Sequence, residues 1–79
     1  MSPRAKKVKA LNGFQIEVEF TNGEVKHFDV SPLLNFPVYQ ALKVRAYFEK
    51  VFVSQGVVQW PNEEDISPDL LYLDSQAVA

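Results

Sequence analysis

The side chains best equipped for chemistry in this 79-residue chain crowd into one short segment: Asn62, Glu63, Glu64, Asp65 and Asp69. Converging oxygens of this kind are what a hard cation such as calcium requires. Two carboxylates with separated pKa values are what general acid–base catalysis requires. The segment serves neither well. It lacks the spacing and central glycine of an EF-hand loop. Asp69 is already explained as an acid in the first turn of a helix, where the exposed N–H groups favour negative charge. Asp65 is expected to brace the loop through backbone amides. A catalytic pair also needs a concave, partly desolvated site, and so short a chain has little volume for one. No metal, cofactor or catalytic residue is therefore assigned, and a small metal-dependent enzyme ranks third among the functional readings.

The remaining candidates thin out quickly. The chain has no cysteine and a single histidine, His27, which removes disulfides, thiolate metal sites and the usual zinc ligand sets. His27 with Ser31 as its only nearby hydroxyl matches no activated-nucleophile arrangement. An exposed or hydrogen-bonded strand histidine is the expected role. Arg4, Lys6, Lys7 and Lys9 form the one basic cluster that can address phosphates. Nucleic-acid binders usually carry a basic pI, and here the pI is about 5.2. Direct nucleic-acid binding is disfavoured and stands as the alternative reading, together with a regulatory domain that binds a ligand.

Charge is segregated along the chain. Residues 1–50 carry all eight Lys and Arg against five acids, a net of +3, whereas residues 51–79 carry five acids and no base, a net of −5. Such asymmetry marks a partner surface or merely two solvated faces of opposite sign. Apolar residues make up 47% and aromatics 13%, too many for a disordered chain. The length allows one domain over residues 1–79, with 1–5 and 75–79 expected to fray. A domain of this size buries only about 60–65% of its unfolded surface and is stable by roughly 3–5 kcal/mol. Homodimerisation would enlarge the core. The basic N-terminus leads into no signal-peptide apolar run, no stretch is long enough to cross a bilayer, and a cytoplasmic location is expected.

These residues must be positioned by an α+β fold. Asn12-Gly13 and Asn22-Gly23 are hairpin signals, because both positions tolerate positive φ. Between them, Phe14, Ile16, Val18 and Phe20 alternate with Gln15, Glu17 and Glu19, the pattern of a half-buried antiparallel strand. A weak, lysine-flanked strand at Val8–Leu11 precedes it, as suits an edge protected from self-pairing. Val25 to Val30 follows as a third strand, with a bulge expected because Val25 and Phe28 cannot otherwise share a face. Ser31-Pro32 opens a short turn. Pro37 starts a helix predicted to run to about Arg45, its Val38, Ala41, Leu42 and Arg45 stripe facing the sheet. A turn at 46–48 buries an aromatic. Strands at Lys50–Val53 and Val57–Trp60 flank the Ser54-Gln55-Gly56 turn, and Pro61 ends the second. The predicted architecture is a small antiparallel sheet in β-β-β-α-β-β order, with one helix packed on it and a short C-terminal helical turn.

That last turn is the best-specified element. Ser67-Pro68-Asp69 places an N-cap residue, a proline at N1 and an acid in the first turn. Ile66 and Leu71 fall where a hydrophobic staple brackets a helix start. The whole segment, Trp60-Pro61-Asn62-x-x-Asp65-Ile66-x-Pro68-Asp69-x-Leu71-Tyr72, resembles the closing signature of a widespread family of short bacterial proteins classed as a domain of unknown function. The resemblance extends to the Phe20-x-Asn22-Gly23-Glu24 hairpin, the Asp29-Val30-Ser31-Pro32-Leu33-Leu34 turn and the approach to Phe48. It implies a small α+β domain and supplies no catalytic residues. Some members of that family carry an added helix-turn-helix, for which this chain has no residues. Others are encoded beside a second small protein, in an arrangement like a toxin–antitoxin pair.

The functional expectation is a non-catalytic interaction module whose partner is another small protein, reached through the sheet edge or the acidic C-terminal face. Trp60 and Tyr72, with Asn62, Glu63, Glu64, Asp65 and Asp69 around them, are the interaction candidates, since exposed aromatics rimmed by charge make docking patches. Core packing is the favoured role for Trp60.

Overall fold

A computed structural model describes residues 2–78. Two antiparallel sheets close around one core. The larger contains β1 (Ala5–Ala10), β2 (Gln15–Phe20), β3 (Val25–Asp29) and β7 (Gln76–Ala77) in that order. The smaller contains β4 (Phe52–Ser54), β5 (Val57–Gln59) and β6 (Asp65–Ile66). Two 3-10 helices, Ser31–Asn35 and Pro37–Lys43, and a single α-helical turn, α1 (Arg45–Phe48), join the sheets. Helix α2 (Pro68–Asp74) lies between β6 and β7.

The α+β class and the two Asn-Gly hairpins agree with the sequence pattern. The single sheet and single packed helix do not. The two-residue strands β6 and β7 carry no periodicity that a sequence can show, and they turn the expected five strands into seven. The stretch from Pro37 is a 3-10 helix that ends at Val44, whose extended backbone (φ −81°, ψ 115°) separates it from α1. Of the predicted apolar stripe only Leu42 is buried, and Val38 remains 63% exposed. The i, i+3 step from Val38 to Ala41 suits either helix type, and a 3-10 helix stacks i and i+3 instead of forming the broad face that the i, i+4 step to Leu42 implies.

The strand β2 behaves as its alternation predicts: Ile16, Val18 and Phe20 are fully buried. Pairing of β2 with β3 is regular from Gln15–Asp29 to Glu19–Val25, so no bulge is needed there. Phe28 points inward and Val25 stays on the outer face. The irregularity falls instead in β1, between Ala5 and Lys7. It turns Ala5 into the core, where it is 4% exposed. The Ala5 N–H then donates to the Gly56 carbonyl at 3.1 Å, joining the edge of the large sheet to the tip of the β4–β5 hairpin. Ala5 and Gln76–Ala77 are thus held in strands within segments expected to fray, while the same expectation at residues 1 and 79 lies outside the described residues.

The core collects Phe20 and Phe28 from the large sheet, Val58 and Ile66 from the small one, Val30 and Trp60 from the residues just after β3 and β5, and Leu34, Leu42, Phe48 and Leu71 from the helical turns. Aromatic contacts knit these layers. Phe14 meets Phe48 edge-on at 5.3 Å and Phe20 meets Tyr72 at 5.1 Å, the geometry that ring quadrupoles favour. Arg45 ties α1 to the first hairpin by donating to the carbonyls of Gly13 and Leu11, the latter at 2.7 Å.

Candidate functional site

The closing segment begins at Trp60, which is fully buried. Its indole N–H donates to the Phe48 carbonyl at 2.9 Å, so the one polar atom of the ring is satisfied inside the core. Pro61 ends β5, and the chain turns back with the Trp60 N–H donating to the Glu64 carbonyl at 2.8 Å. Glu63 takes up a left-handed backbone (φ 74°) at the apex of that turn. Glu64 is pulled inward to 7% exposure. A buried carboxylate is costly without a partner, and the Tyr47 hydroxyl supplies one, donating to Oε1 at 2.6 Å. The same hydroxyl accepts the Asn62 N–H at 2.8 Å. Burial and the Glu64 contact both raise the Tyr47 phenol above its ordinary value.

Glu64, then, braces the loop, in the role expected of Asp65. Asp65 sits on β6 paired with Gln59, where alternation sends its side chain to solvent. Its carbonyl accepts the Tyr39 hydroxyl at 2.8 Å. Burial, followed by the Asp65 charge, raises the Tyr39 phenol.

Ile66 and Leu71 are both fully buried on either side of Ser67, as a hydrophobic staple requires. Ser67 occupies the N-cap position without a side-chain capping bond. Asp69 lies in the first turn of α2 and accepts the Ser2 N–H at 3.3 Å. Tyr72 reaches across to the second hairpin, its hydroxyl donating to Glu24 Oε1. Asn22 Nδ2 donates to the same oxygen at 2.6 Å. Lys26 Nζ sits 3.9 Å from the centre of the Tyr72 ring and donates to the Tyr72 carbonyl at 3.2 Å. The Tyr72 hydroxyl first and Asn22 second hold the Glu24 carboxyl below the usual carboxylate value, and the Glu24 contact raises the Tyr72 phenol.

The interaction candidates are therefore not one patch. Trp60 and Glu64 are inside the fold and offer a partner nothing. Tyr72 is half-buried against the hairpin. Asn62, Glu63, Asp65 and Asp69 remain exposed but face different neighbours. Among the described residues, no three His, Cys, Asp or Glu side chains gather as a metal would require.

Two of the four basic candidates are drawn into local pairs, while Arg4 donates to the Gln55 carbonyl at 3.5 Å and Lys7 stays exposed. Lys6 faces Glu19 at 3.7 Å and Lys9 faces Glu17 at 3.4 Å across the β1–β2 ladder. His27 Nε2 lies 3.0 Å from the same Glu17 on the other side. That contact, more than Lys9, lowers the Glu17 carboxyl below its ordinary value. Ser31 Oγ donates to Asp29 at 2.6 Å and lies in a turn of its own.

The family model for "Protein of unknown function (DUF2442)" matches residues 5–77, from the start of β1 to the end of β7. The chain belongs to this family. Every element described above lies inside the matched span, so the Tyr47–Glu64 and Glu24–Tyr72 clasps are features of a DUF2442 domain in this chain. No curated protein and no solved structure matches the chain. What sequence reasoning missed is how many large apolar side chains stay exposed on this DUF2442 domain. Phe36, Val38, Val44, Leu70 and Leu73 are all more than a third exposed. The signal was present at Leu70-Leu71-Tyr72-Leu73, where four consecutive apolar residues exceed what one helix face can bury. Among the described residues, no helix is long and apolar enough to cross a membrane.

Proposed function

We propose that this DUF2442 domain is a non-catalytic interaction module that works by binding another small protein. One observation carries the reading: large apolar side chains stay exposed on α2 and the 3-10 turns while Glu64 and Tyr72 of the closing segment are spent on internal bonds. A small domain short of core gains from burying every leucine it can. Leucines held in solvent on a well-formed helix are therefore better explained by a partner than by folding. Several titratable groups, by contrast, are spent as clasps between neighbouring elements, Glu17 with His27 and Glu24 with Tyr72 among them. In this reading the chain is the accessory or neutralising member of a two-protein system, resembling a toxin–antitoxin pair, and it acts in the cytoplasm.

The test is a pull-down of the tagged full chain from its native host at low and moderate salt. A protein recovered in near-equal amount with the bait supports the module. Recovery of no protein above the untagged control, under mild salt, removes it.

A further inference from the structure

An open groove of about 460 Å³ runs between the 3-10 helix Ser31–Asn35 and helix α2. That volume lies within the range of ligand-sized clefts, about 300–1,000 Å³. Phe28, itself 5% exposed, is among its lining residues, with Leu33 on one side and Leu70 and Leu73 on the other. Asp29 and Asp74 are the charged residues of the lining, which holds no basic side chain. Lys26, on the strand that carries Phe28, is committed to the ring and carbonyl of Tyr72.

Two features of α2 point outward to an occupant. Leu71 is fully buried and Tyr72 packs on Phe20, which docks the helix, yet Leu70 is 38% and Leu73 73% exposed. Asp74 closes the last turn, where the helix has no basic residue. The partial negative charge at a helix C-terminus disfavours an acid there, so local stability does not account for it. An apolar floor with acidic lining is complementary to a segment that brings a large apolar side chain and its own cation.

We propose that this groove receives an amphipathic segment of the partner protein, seating an apolar side chain against Phe28 between the leucines and placing Lys or Arg beside Asp29 and Asp74. The inference rests on the interaction-module reading and names its site and the chemistry of its partner. A second copy of this chain is the other occupant, which the test separates; its Lys6 and Lys9 already face Glu19 and Glu17.

The test titrates a short leucine–lysine peptide, designed as an amphipathic helix, into the full chain and follows backbone amides by NMR. A leucine–glutamate peptide of the same pattern is the control. The lysine peptide is expected to shift Leu33, Leu70, Leu73 and their neighbours, and the glutamate peptide to leave them in place. Leu73→Asp, at a largely exposed position, is expected to keep the fold and weaken binding at least tenfold, the scale of an interface hot spot. Asp74→Asn is expected to raise the melting temperature slightly while weakening the lysine peptide about threefold, as for one exposed ion pair. Equal shifts from both peptides, shifts confined to other surfaces, or no shifts at millimolar peptide would overturn the proposal. Concentration-dependent groove shifts without peptide would overturn it in favour of a second copy. The two readings fail separately: a host partner still captured by Leu73→Asp ends the groove proposal alone, whereas a peptide that fills the groove with no host partner ends the module.

Discussion

Removing one oxygen atom, in Tyr47→Phe, tests how the closing segment is held. The Tyr47 hydroxyl donates to the buried carboxylate of Glu64 at 2.6 Å and accepts the Asn62 N–H at 2.8 Å. Phenylalanine keeps the ring and its packing, so the loss is confined to these two bonds. A hydrogen bond to a charged group contributes about 1.5–3 kcal/mol, and leaving its buried partner unsatisfied places the cost toward the upper end. The Asn62 bond is exposed and adds about 0.5 kcal/mol. Among the described residues no buried side-chain N or O lacks a partner, so this substitution creates the first. The expected loss is about 3 kcal/mol, against a total of roughly 3–5 kcal/mol for a domain of this size. At about 4–8 °C per kcal/mol the melting temperature falls by roughly 12–24 °C. Trp60, the only tryptophan, is a buried reporter beside the altered bond. Urea and thermal unfolding by its fluorescence give the number directly. A Tyr47→Phe protein within about 0.5 kcal/mol of the natural chain, the size of a neutral surface change, would refute the reasoning and mean that Glu64 finds water instead.

Three further substitutions probe other joints. In Tyr72→Phe, Glu24 loses the largest of the three influences that lower its pKa, with Asn22 and Lys26 remaining, so its value, read by NMR titration, moves up toward 4.5. A carboxyl lowered in the folded state stabilises the fold above its unfolded value and loses that contribution as pH falls through the folded one. Acid unfolding curves of the natural chain and Tyr72→Phe are therefore expected to differ at neutral pH and to converge as pH falls below 4.5. Gly56→Ala puts a Cβ within 2.8 Å of Arg4 Cβ at a residue with φ +78°, whereas Gly13→Ala meets open space at φ +68°. Both bear the cost of a left-handed backbone, about 1 kcal/mol. Gly56→Ala is expected to cost at least 1 kcal/mol more by denaturant titration, through overpacking. In Arg45→Met, the hairpin loses its ties to Leu11 and Gly13, and hydrogen exchange at residues 11–15 is expected to quicken before the rest of the domain.

The legible and illegible parts of this fold divide on physical grounds. Strand β2 was readable because one buried face imposes a period of two, and the Asn-Gly turns because few residues accept positive φ. Helix α2 was readable because proline, an acid and the Ile66–Leu71 pair each mark its start, although Ser67 does not cap it through its side chain. The Pro37–Lys43 segment was misread because a three-residue spacing does not separate a 3-10 from an α-helix, and Val44 breaks the run without a glycine or proline to announce it. Strands β6 and β7 were invisible because two residues set no period. At the candidate site, sequence identified the closing segment but not its direction. Which of Glu64 and Asp65 turns inward depends on where Tyr47, 17 residues earlier, delivers its hydroxyl. The groove was hidden for the same reason, since it joins residues near 30 to residues near 73.

The central claim is that Trp60 and Glu64 of the closing segment face inward and hold the domain together, leaving binding to the exposed leucines of α2. The most direct measurement is hydrogen exchange of the Trp60 indole N–H, which donates to the Phe48 carbonyl inside the core. If the claim holds, this proton exchanges only through global unfolding. Its protection then matches the overall stability, roughly a hundred- to several-thousand-fold for 3–5 kcal/mol. An indole proton that exchanges as fast as in a free peptide, with fluorescence open to aqueous quenchers in the folded state, would contradict it and return Trp60 to the surface as a contact residue.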